Sequence, residues 1–188
     1  MPGLRYEGCA IVSADGMLAR VSGDHPPELT IAADQRFFAQ KLDAADLIVH
    51  GRNSHEKQRN SPNRKRIIAT RKIASLAPDP DSPNAVLWNP AGATIEDAAA
   101  RLGVQSGLVS VIGGTGIFDL FLDRYDVFWL TLAPQVRLPG GVPVFTGVPQ
   151  ASADDILRRH GLAPAERRTL DADKDVVLIK WARPPAPN

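Results

Sequence analysis

The chain has 188 residues, of which 44% are hydrophobic and 23% charged, and its 22 Lys and Arg nearly balance its 21 Asp and Glu. This composition excludes a disordered or fibrous chain, and at this length it predicts one compact domain rather than two. A formal net charge of +1 gives no long-range field that would attract nucleic acid or an anionic membrane.

The single cysteine, Cys9, cannot form an internal disulfide, and there is no cysteine cluster that could bind zinc. We therefore expect no metal and a reducing, cytoplasmic location. The sequence contains no apolar stretch of about 18 residues and no basic start followed by an apolar run. We expect a small-molecule ligand, and neither a membrane nor a nucleic-acid partner.

Segments typical of strands alternate with segments typical of helices. The strand segments are short, apolar and rich in β-branched residues, whereas the helix segments repeat their apolar residues every three or four positions. In chain order, we predict strand 6–12, helix 33–45, strands 47–50, 66–70 and 85–88, helix 95–102, strand 108–112, helix 117–122, strand 127–133 and helix 156–160. This order predicts an α/β fold of three layers, with a mostly parallel central sheet between helices.

The C-terminal part closes the sheet. Ranges 165–170 and 176–181 flank the turn residues 171–175 and predict an antiparallel hairpin at one edge. Residues 184–188 form a Pro-rich tail without a periodic pattern, so we place a single domain at 1–183.

Turn and capping signals separate several of these elements. Pro78, Pro80 and Pro83 predict a turn-rich connector between strands. Thr94 precedes two acidic residues, and Ser152 precedes Asp155 by three positions, so both are typical helix N-caps.

The strand predicted at 108–112 ends directly in Gly113-Gly114-Thr115-Gly116, ahead of a helix. Glycines let the backbone approach a ligand closely, and the free N–H groups of a helix start favour a pyrophosphate. The segment has Asp119 where a dinucleotide fingerprint has its third glycine, and it lacks the Lys of an NTP-binding loop. It therefore indicates a nucleotide site, and a tight turn without a ligand is the alternative.

Two further strand ends contain phosphate-binding residue types. Arg52 and Ser54 follow the strand that ends near Gly51, and Thr70-Arg71-Lys72 follow the next strand. Arginine can bind a phosphate with two parallel hydrogen bonds, and ligands of open α/β sheets bind at the carboxyl ends of the strands. We expect the three strand ends to form one site.

These motifs occur in the order and spacing of the dihydrofolate reductase superfamily, which the chain resembles over most of its length. The matching segments are 51–54, 62–68, 112–118 and 121–132, and the segments 13–16 and 138–145 resemble the riboflavin-pathway pyrimidine reductase branch. The resemblance implies a dihydrofolate-reductase-like fold.

The resemblance also implies that NADPH is the cofactor. Arg52 matches the arginine that recognises the 2′-phosphate, with Arg71 as a second candidate, and Ser54 matches a hydroxyl at the pyrophosphate. Gly113 and Gly114 match paired glycines beside the nicotinamide half. The expected cofactor-binding residues are Gly51, Arg52, Ser54, Thr70, Arg71, Gly113, Gly114, Thr115, Gly116 and Ile117.

For the substrate site, the resemblance implies that Asp34 is the acidic residue of the pocket and that Thr131 hydrogen-bonds it. Phe38 matches an aromatic residue beside the substrate ring. Arg64 matches the arginine that binds the folate carboxylate, or it belongs to a solvated basic loop. Asp34 also lies near a helix start, where the helix dipole favours an acid whatever its function.

We therefore expect an NADPH-dependent reductase that transfers hydride to a C=N bond of a pyrimidine or pteridine, of the 5-amino-6-ribosylaminouracil reductase type. Dihydrofolate reductase is an alternative, but the loop Met17 to Leu29 lacks the family's Pro-Trp pair. This loop is the expected mobile cover of the site. A non-catalytic nucleotide-binding protein is the alternative from another class. The resemblance further suggests a homodimer.

Overall fold

A computed structural model of the chain describes residues 3–54 and 58–185. The strands are β1 Leu4–Ser13, β2 Met17–Ala19, β3 Leu47–Gly51, β4 Arg66–Ala69, β5 Leu76–Pro78, β6 Ala85–Trp88, β7 Gly107–Val111, β8 Tyr125–Ala133, β9 Val142–Pro143, β10 Ala163–Asp171 and β11 Val176–Ala182. The helices are α1 Ala32–Ala44, α2 Ile95–Arg101, α3 Thr115–Leu120 and α4 Ala153–Arg159, with single 3-10 turns at Pro27–Leu29 and Ser61–Asn63.

Within the described residues, nine strands form one sheet in the order β10-β11-β8-β1-β7-β3-β4-β6-β5. The strands from β8 to β6 are parallel, whereas β11, β10 and β5 are antiparallel to their neighbours. The predicted α/β class, with a mostly parallel sheet and a C-terminal antiparallel hairpin, is confirmed. A second, small sheet pairs β2 with β9.

The two faces of the sheet are covered by different helices. The main apolar core contains Phe118 of α3, Ile95 of α2 and Leu157 of α4, together with alternate residues of the strands. Side chains of a strand alternate between faces, so the neighbouring residues Cys9, Trp129 and Leu178 lie on the opposite face. There they form a smaller cluster against α1. The helices therefore cover both faces, as the sequence predicts.

The predicted capping signals are confirmed. Thr94 Oγ1 accepts a hydrogen bond from the Asp97 N–H at 3.1 Å, and the Asp97 carboxylate accepts one from the Thr94 N–H at 3.2 Å. Ser152 Oγ accepts from the Asp155 N–H at 3.1 Å and begins α4. Each side chain satisfies a backbone donor that has no partner within its helix.

The structure contains three short strands that the sequence does not predict, β2, β5 and β9. The Pro-rich connector begins with an antiparallel edge strand, β5, in which Pro78 pairs with Val86. Proline is compatible with an edge strand because no ladder hydrogen bond is needed on its open side. β2 and β9 are too short for their sequences to show an alternating pattern. They are strands only because their backbones pair with each other. Elsewhere the predicted boundaries lie within a few residues of the observed ones.

None of the helices within residues 3–54 and 58–185 is long and apolar enough to cross a membrane. Residues 186–188, most of the predicted tail, lie outside the described residues.

Candidate active site

A cavity of about 760 Å³ opens at the carboxyl ends of β3 and β4, beside the start of α3. The predicted cofactor residues Gly51, Arg52, Ser54, Thr70, Arg71, Gly114, Thr115, Gly116 and Ile117 all line it. Lys72, which the sequence places at the same strand end, also lines the cavity. The sequence did not indicate the remaining lining residues, Asn53, Ala69, Asn89, Pro90, Ala91 and Leu120. The three strand ends thus meet in one site, and the binding role of each residue stays a prediction.

The glycine corner between β7 and α3 needs residues without a side chain. Gly113 has φ +96°, and a Cβ there would lie 2.7 Å from the Phe118 ring. The Gly113 carbonyl accepts a hydrogen bond from the Gly51 N–H at 2.7 Å, which joins the ends of β3 and β7. Gly113 does not line the cavity itself but shapes the turn that does.

The start of α3 exposes backbone rather than side-chain groups to the cavity. Its N-cap, Gly114, offers no side-chain hydrogen bond. The Thr115 hydroxyl donates its proton to the Pro143 carbonyl at 2.5 Å. The N–H groups of Ile117 and Phe118 both donate to the Gly114 carbonyl at 2.9 Å. The N–H groups of Thr115 and Gly116, at the first two positions of the helix, have no acceptor within it and can donate to a phosphate.

The charged side chains among the described residues that line the cavity are all positive. Arg52, Arg71 and Lys72 line it, and no acidic side chain occurs among its described lining residues. Thr70, which is buried, accepts a hydrogen bond from the Lys72 N–H at 3.2 Å and fixes the turn after β4. A cavity of this size with three cations and no counter-charge favours a ligand with several phosphate charges.

A buried acid and hydroxyl form a second group on the α1 face of the sheet. Asp34, in the first turn of α1, is 8% exposed, and Thr131 of β8 is 1% exposed. The Thr131 hydroxyl donates to Asp34 Oδ1 at 2.5 Å. Burial raises the pKa of Asp34, while the Thr131 hydrogen bond and the charge of His25 oppose this increase. The sequence-predicted pair therefore meets in the structure.

Aromatic residues and Cys9 form a cluster on the same face of the sheet as this pair. Phe38 lies four positions after Asp34 on the same side of α1, and both Phe37 and Phe38 pack against Cys9, Trp129 and Leu178. Burial, followed by the Asp34 charge, raises the pKa of the Cys9 thiol, so the cysteine is a small buried hydrophobe near the acid.

Arg64 lies apart from this group. Its side chain is 9% exposed, and its guanidinium contacts Asp43 and donates to Gln58 Oε1 at 3.2 Å. Asp43 is in the last turn of α1, about 13 Å along the helix axis from Asp34 by the rise of an α-helix. The structure therefore does not bring Arg64 together with Asp34 and Thr131.

Solved structures of known proteins match this architecture. A protein assigned to riboflavin biosynthesis from Shewanella sp. PV-4 superposes with TM-score 0.66 at 16% identity, covering 96% of this chain and 99% of the other. Dihydrofolate reductase from Enterococcus faecalis, complexed with NADP(H) and RAB-propyl, gives 0.63 at 14% identity, covering 95% and 96%. This chain has the dihydrofolate-reductase-like fold.

A third match is the Thermotoga maritima diaminohydroxyphosphoribosylaminopyrimidine deaminase/5-amino-6-(5-phosphoribosylamino)uracil reductase, with TM-score 0.61 at 16% identity. It covers 96% of this chain, which spans 57% of the Thermotoga chain. No protein-family model and no curated protein matches the sequence.

In this dihydrofolate-reductase-like fold, the two segments that resemble the riboflavin-pathway branch contact each other. The Asp15 carboxylate accepts a hydrogen bond from the Leu138 N–H at 3.0 Å, and the Gly16 carbonyl accepts one from the Val144 N–H at 3.0 Å. Thr146 then donates its N–H to Asp119 of α3 at 3.2 Å. These bonds connect the start of the predicted cover loop to the helix at the cavity.

Proposed function

We propose that this chain is an NADPH-dependent reductase that transfers a hydride to a C=N bond of a pyrimidine, of the 5-amino-6-ribosylaminouracil reductase type. The observation that carries the proposal is that two separate sites lie on the same sheet. A cavity with Arg52, Arg71 and Lys72 and no described acid lies at the strand ends, and a buried acid–hydroxyl pair lies on the α1 face.

The residues of the cavity fit a nicotinamide dinucleotide phosphate. Three cations can neutralise its phosphates, and Gly114 and Gly116 leave the backbone open to a pyrophosphate. Ser54 faces Gly114, since a Cβ on that glycine would lie 3.3 Å from Ser54 Oγ. The Enterococcus dihydrofolate reductase of the same fold is complexed with NADP(H), which supports this choice of cofactor. A bound NADPH would supply the hydride.

Asp34 and Thr131 would bind and protonate the substrate. Hydride addition to the carbon of a C=N bond leaves the nitrogen needing a proton, so the reaction needs an acid near that nitrogen. The raised pKa of Asp34 increases the protonated fraction of its carboxyl near neutral pH. Thr131 donates to Oδ1 and thereby orients the carboxyl, whose other oxygen can contact an amino-heterocycle.

The contacts of Arg64 favour a pyrimidine over a folate. Asp43 and Gln58 already bind its guanidinium, and the side chain is nearly buried, so it offers little to the carboxylate of a folate tail. The riboflavin-pathway names of the Shewanella and Thermotoga proteins, which share the fold, support the same choice.

The test is a reductase assay with a small substrate panel. Oxidation of NADPH and of NADH is followed by absorbance with a ribosylaminopyrimidine, with dihydrofolate and with no substrate. We expect turnover of the pyrimidine with NADPH. Turnover of dihydrofolate alone would assign the chain to the folate reaction, and NADPH binding without turnover of either would indicate a non-catalytic nucleotide-binding protein.

A further inference from the structure

Three residues from three elements form a bonded cluster next to the Asp34 pair. Glu7 Oε2 of β1 accepts hydrogen bonds from Lys41 Nζ of α1 and from Trp129 Nε1 of β8, each at 3.0 Å. The Lys41 ammonium also lies 4.2 Å from the centroid of the Trp129 ring. We call this cluster of Glu7, Lys41 and Trp129 the α1 anchor.

The α1 anchor joins the same helix and strand as the Asp34–Thr131 hydrogen bond. Lys41 follows Asp34 by seven residues, which is close to two helical turns, so both side chains lie on one side of α1, about 10 Å apart along its axis. Trp129 precedes Thr131 by two residues and lies on the same face of β8. Two contacts between the same two elements fix both the rotation of the helix and its position along the strand.

The contact of Arg64 with Asp43 also holds α1, at its last turn. The contacts nearer to Asp34 are less directional. Its N-cap, Ile31, provides no side-chain hydrogen bond, and the buried residues of the helix are Asp34 and Leu42. Burying the Asp34 carboxyl costs free energy, so it does not itself attract the helix to the sheet. Aromatic packing of Phe37 on Trp129, with ring centroids 5.1 Å apart, tolerates sliding better than a hydrogen bond does.

We propose that Lys41 is a positioning residue, which acts through Glu7 and Trp129 to hold Asp34 in register with Thr131 and the substrate. This inference rests on the proposed function. The side chains of Lys41 and Glu7 are 23% and 19% exposed, so the ion pair is largely buried. Replacing both partners of such a pair by apolar residues often leaves stability unchanged, whereas removing one partner lowers it. The pair instead fixes the position of α1 on the sheet, because each hydrogen bond requires a defined geometry.

The test compares Lys41→Met with a matched control, Lys180→Met. Lys180 also lies over Trp129, at 5.4 Å from the ring centroid, but it is on β11 and forms its ion pair with Glu166 at 2.9 Å. Both variants remove one cation near the same ring, and only Lys41→Met removes a bond to α1.

We expect Lys41→Met to fold with a lower thermal midpoint, because the largely buried Glu7 carboxylate loses its cation, and to keep its NADPH Kd. In the folded variant we expect a roughly tenfold loss in kcat, because small displacements of reacting groups have effects of this size. Lys41→Arg, which keeps the ion pair, should recover part of the rate. Lys180→Met should keep wild-type kinetics. A wild-type kcat in Lys41→Met would overturn the proposal, and so would an equal loss in Lys180→Met, which would assign the effect to charge alone.

A second readout separates this proposal from the proposed function. If the wild-type protein reduces no substrate, carbon-13 NMR can still titrate the Asp34 carboxyl, assigned with Asp34→Asn. The groups facing Asp34 are Thr131 from β8, Cys9 from β1 and His25 from the preceding loop, and neither variant changes them.

The direction of the pKa change distinguishes the two effects. Loss of a cation alone raises a carboxyl pKa, whereas water reaching a loosened Asp34 lowers it. We expect the Asp34 pKa to fall in Lys41→Met and not to fall in Lys180→Met. An unchanged or raised pKa in Lys41→Met would overturn the positioning role whether or not the enzyme is active.

Discussion

At the residue scale, the proposed chemistry depends on Asp34. The pKa of this carboxyl is raised by burial, so the folded state binds its proton at a higher pH than the unfolded chain does. The stability that Asp34 contributes is present below the unfolded pKa and is lost as the pH rises through the folded pKa. Above the unfolded pKa, Asp34 therefore contributes less to stability than it does at acid pH.

Asp34→Asn separates the two roles of this residue. We expect the thermal midpoint at neutral pH to stay the same or rise, because a neutral amide replaces a buried charge. We expect kcat/KM to fall by roughly 10²- to 10⁴-fold, the range for a lost general acid, and its decrease at high pH to disappear. A helix-dipole role predicts the reverse, a lower midpoint with unchanged kinetics. Circular dichroism and steady-state kinetics across pH measure both.

The arginines of the cavity determine which coenzyme we expect to bind. Arg52→Ala and Arg71→Ala should each weaken NADPH binding by about tenfold or more and leave NADH binding nearly unchanged, because only NADPH has the 2′-phosphate. Fluorescence titration of the reduced coenzymes gives both Kd values. Arg59→Ala, an exposed arginine outside the cavity lining, is the control. An equal loss for the two coenzymes would assign these arginines to the pyrophosphate instead.

At the element scale, the glycine corner was predictable and the helix contacts were not. Three glycines directly after an apolar strand require a turn with close backbone contact, so the sequence alone indicates the site at 113–116. The bonds of Lys41 to Glu7 and of Arg64 to Asp43 join residues that are more than 20 positions apart. No local pattern encodes such pairs, so the resemblance assigned Arg64 a substrate role while the structure pairs it with α1.

Alanine substitutions at two glycines of this corner should change the free energy of unfolding in opposite directions. Gly113→Ala forces φ +96° on a residue with a Cβ and places it 2.7 Å from Phe118, so we expect a loss of about 1–3 kcal/mol in the free energy of unfolding. Gly116→Ala meets no atom within 4 Å and lies inside α3, where alanine favours the helix by up to about 1 kcal/mol. Urea unfolding measures both, and a tolerated Gly113→Ala would contradict the described turn.

At the scale of the whole molecule, the alternation of strands and helices was sufficient to predict the layered sheet. Buried parallel strands such as β3 and β7 are apolar apart from His50 and Ser110, which separates them from the amphipathic helices. The small β2–β9 sheet could not be predicted, because its strands of two and three residues depend on the contact between the segments near Asp15 and Leu138.

The resemblance to riboflavin-pathway reductases predicts a homodimer. Light scattering coupled to gel filtration should give about twice the chain mass of 20.3 kDa, with the same value at several protein concentrations. A mass near that of one chain at micromolar concentration would contradict this prediction and would leave the proposed reaction untouched.

Calorimetric titration with NADPH and with NADH tests the central claim most directly, because it needs no substrate. The claim is that the cavity at the ends of β3 and β4 binds a phosphorylated nicotinamide dinucleotide. We expect saturable heat with one site per chain and tighter binding of NADPH than of NADH. Absence of heat with both coenzymes, from protein whose circular dichroism shows it to be folded, would contradict the account.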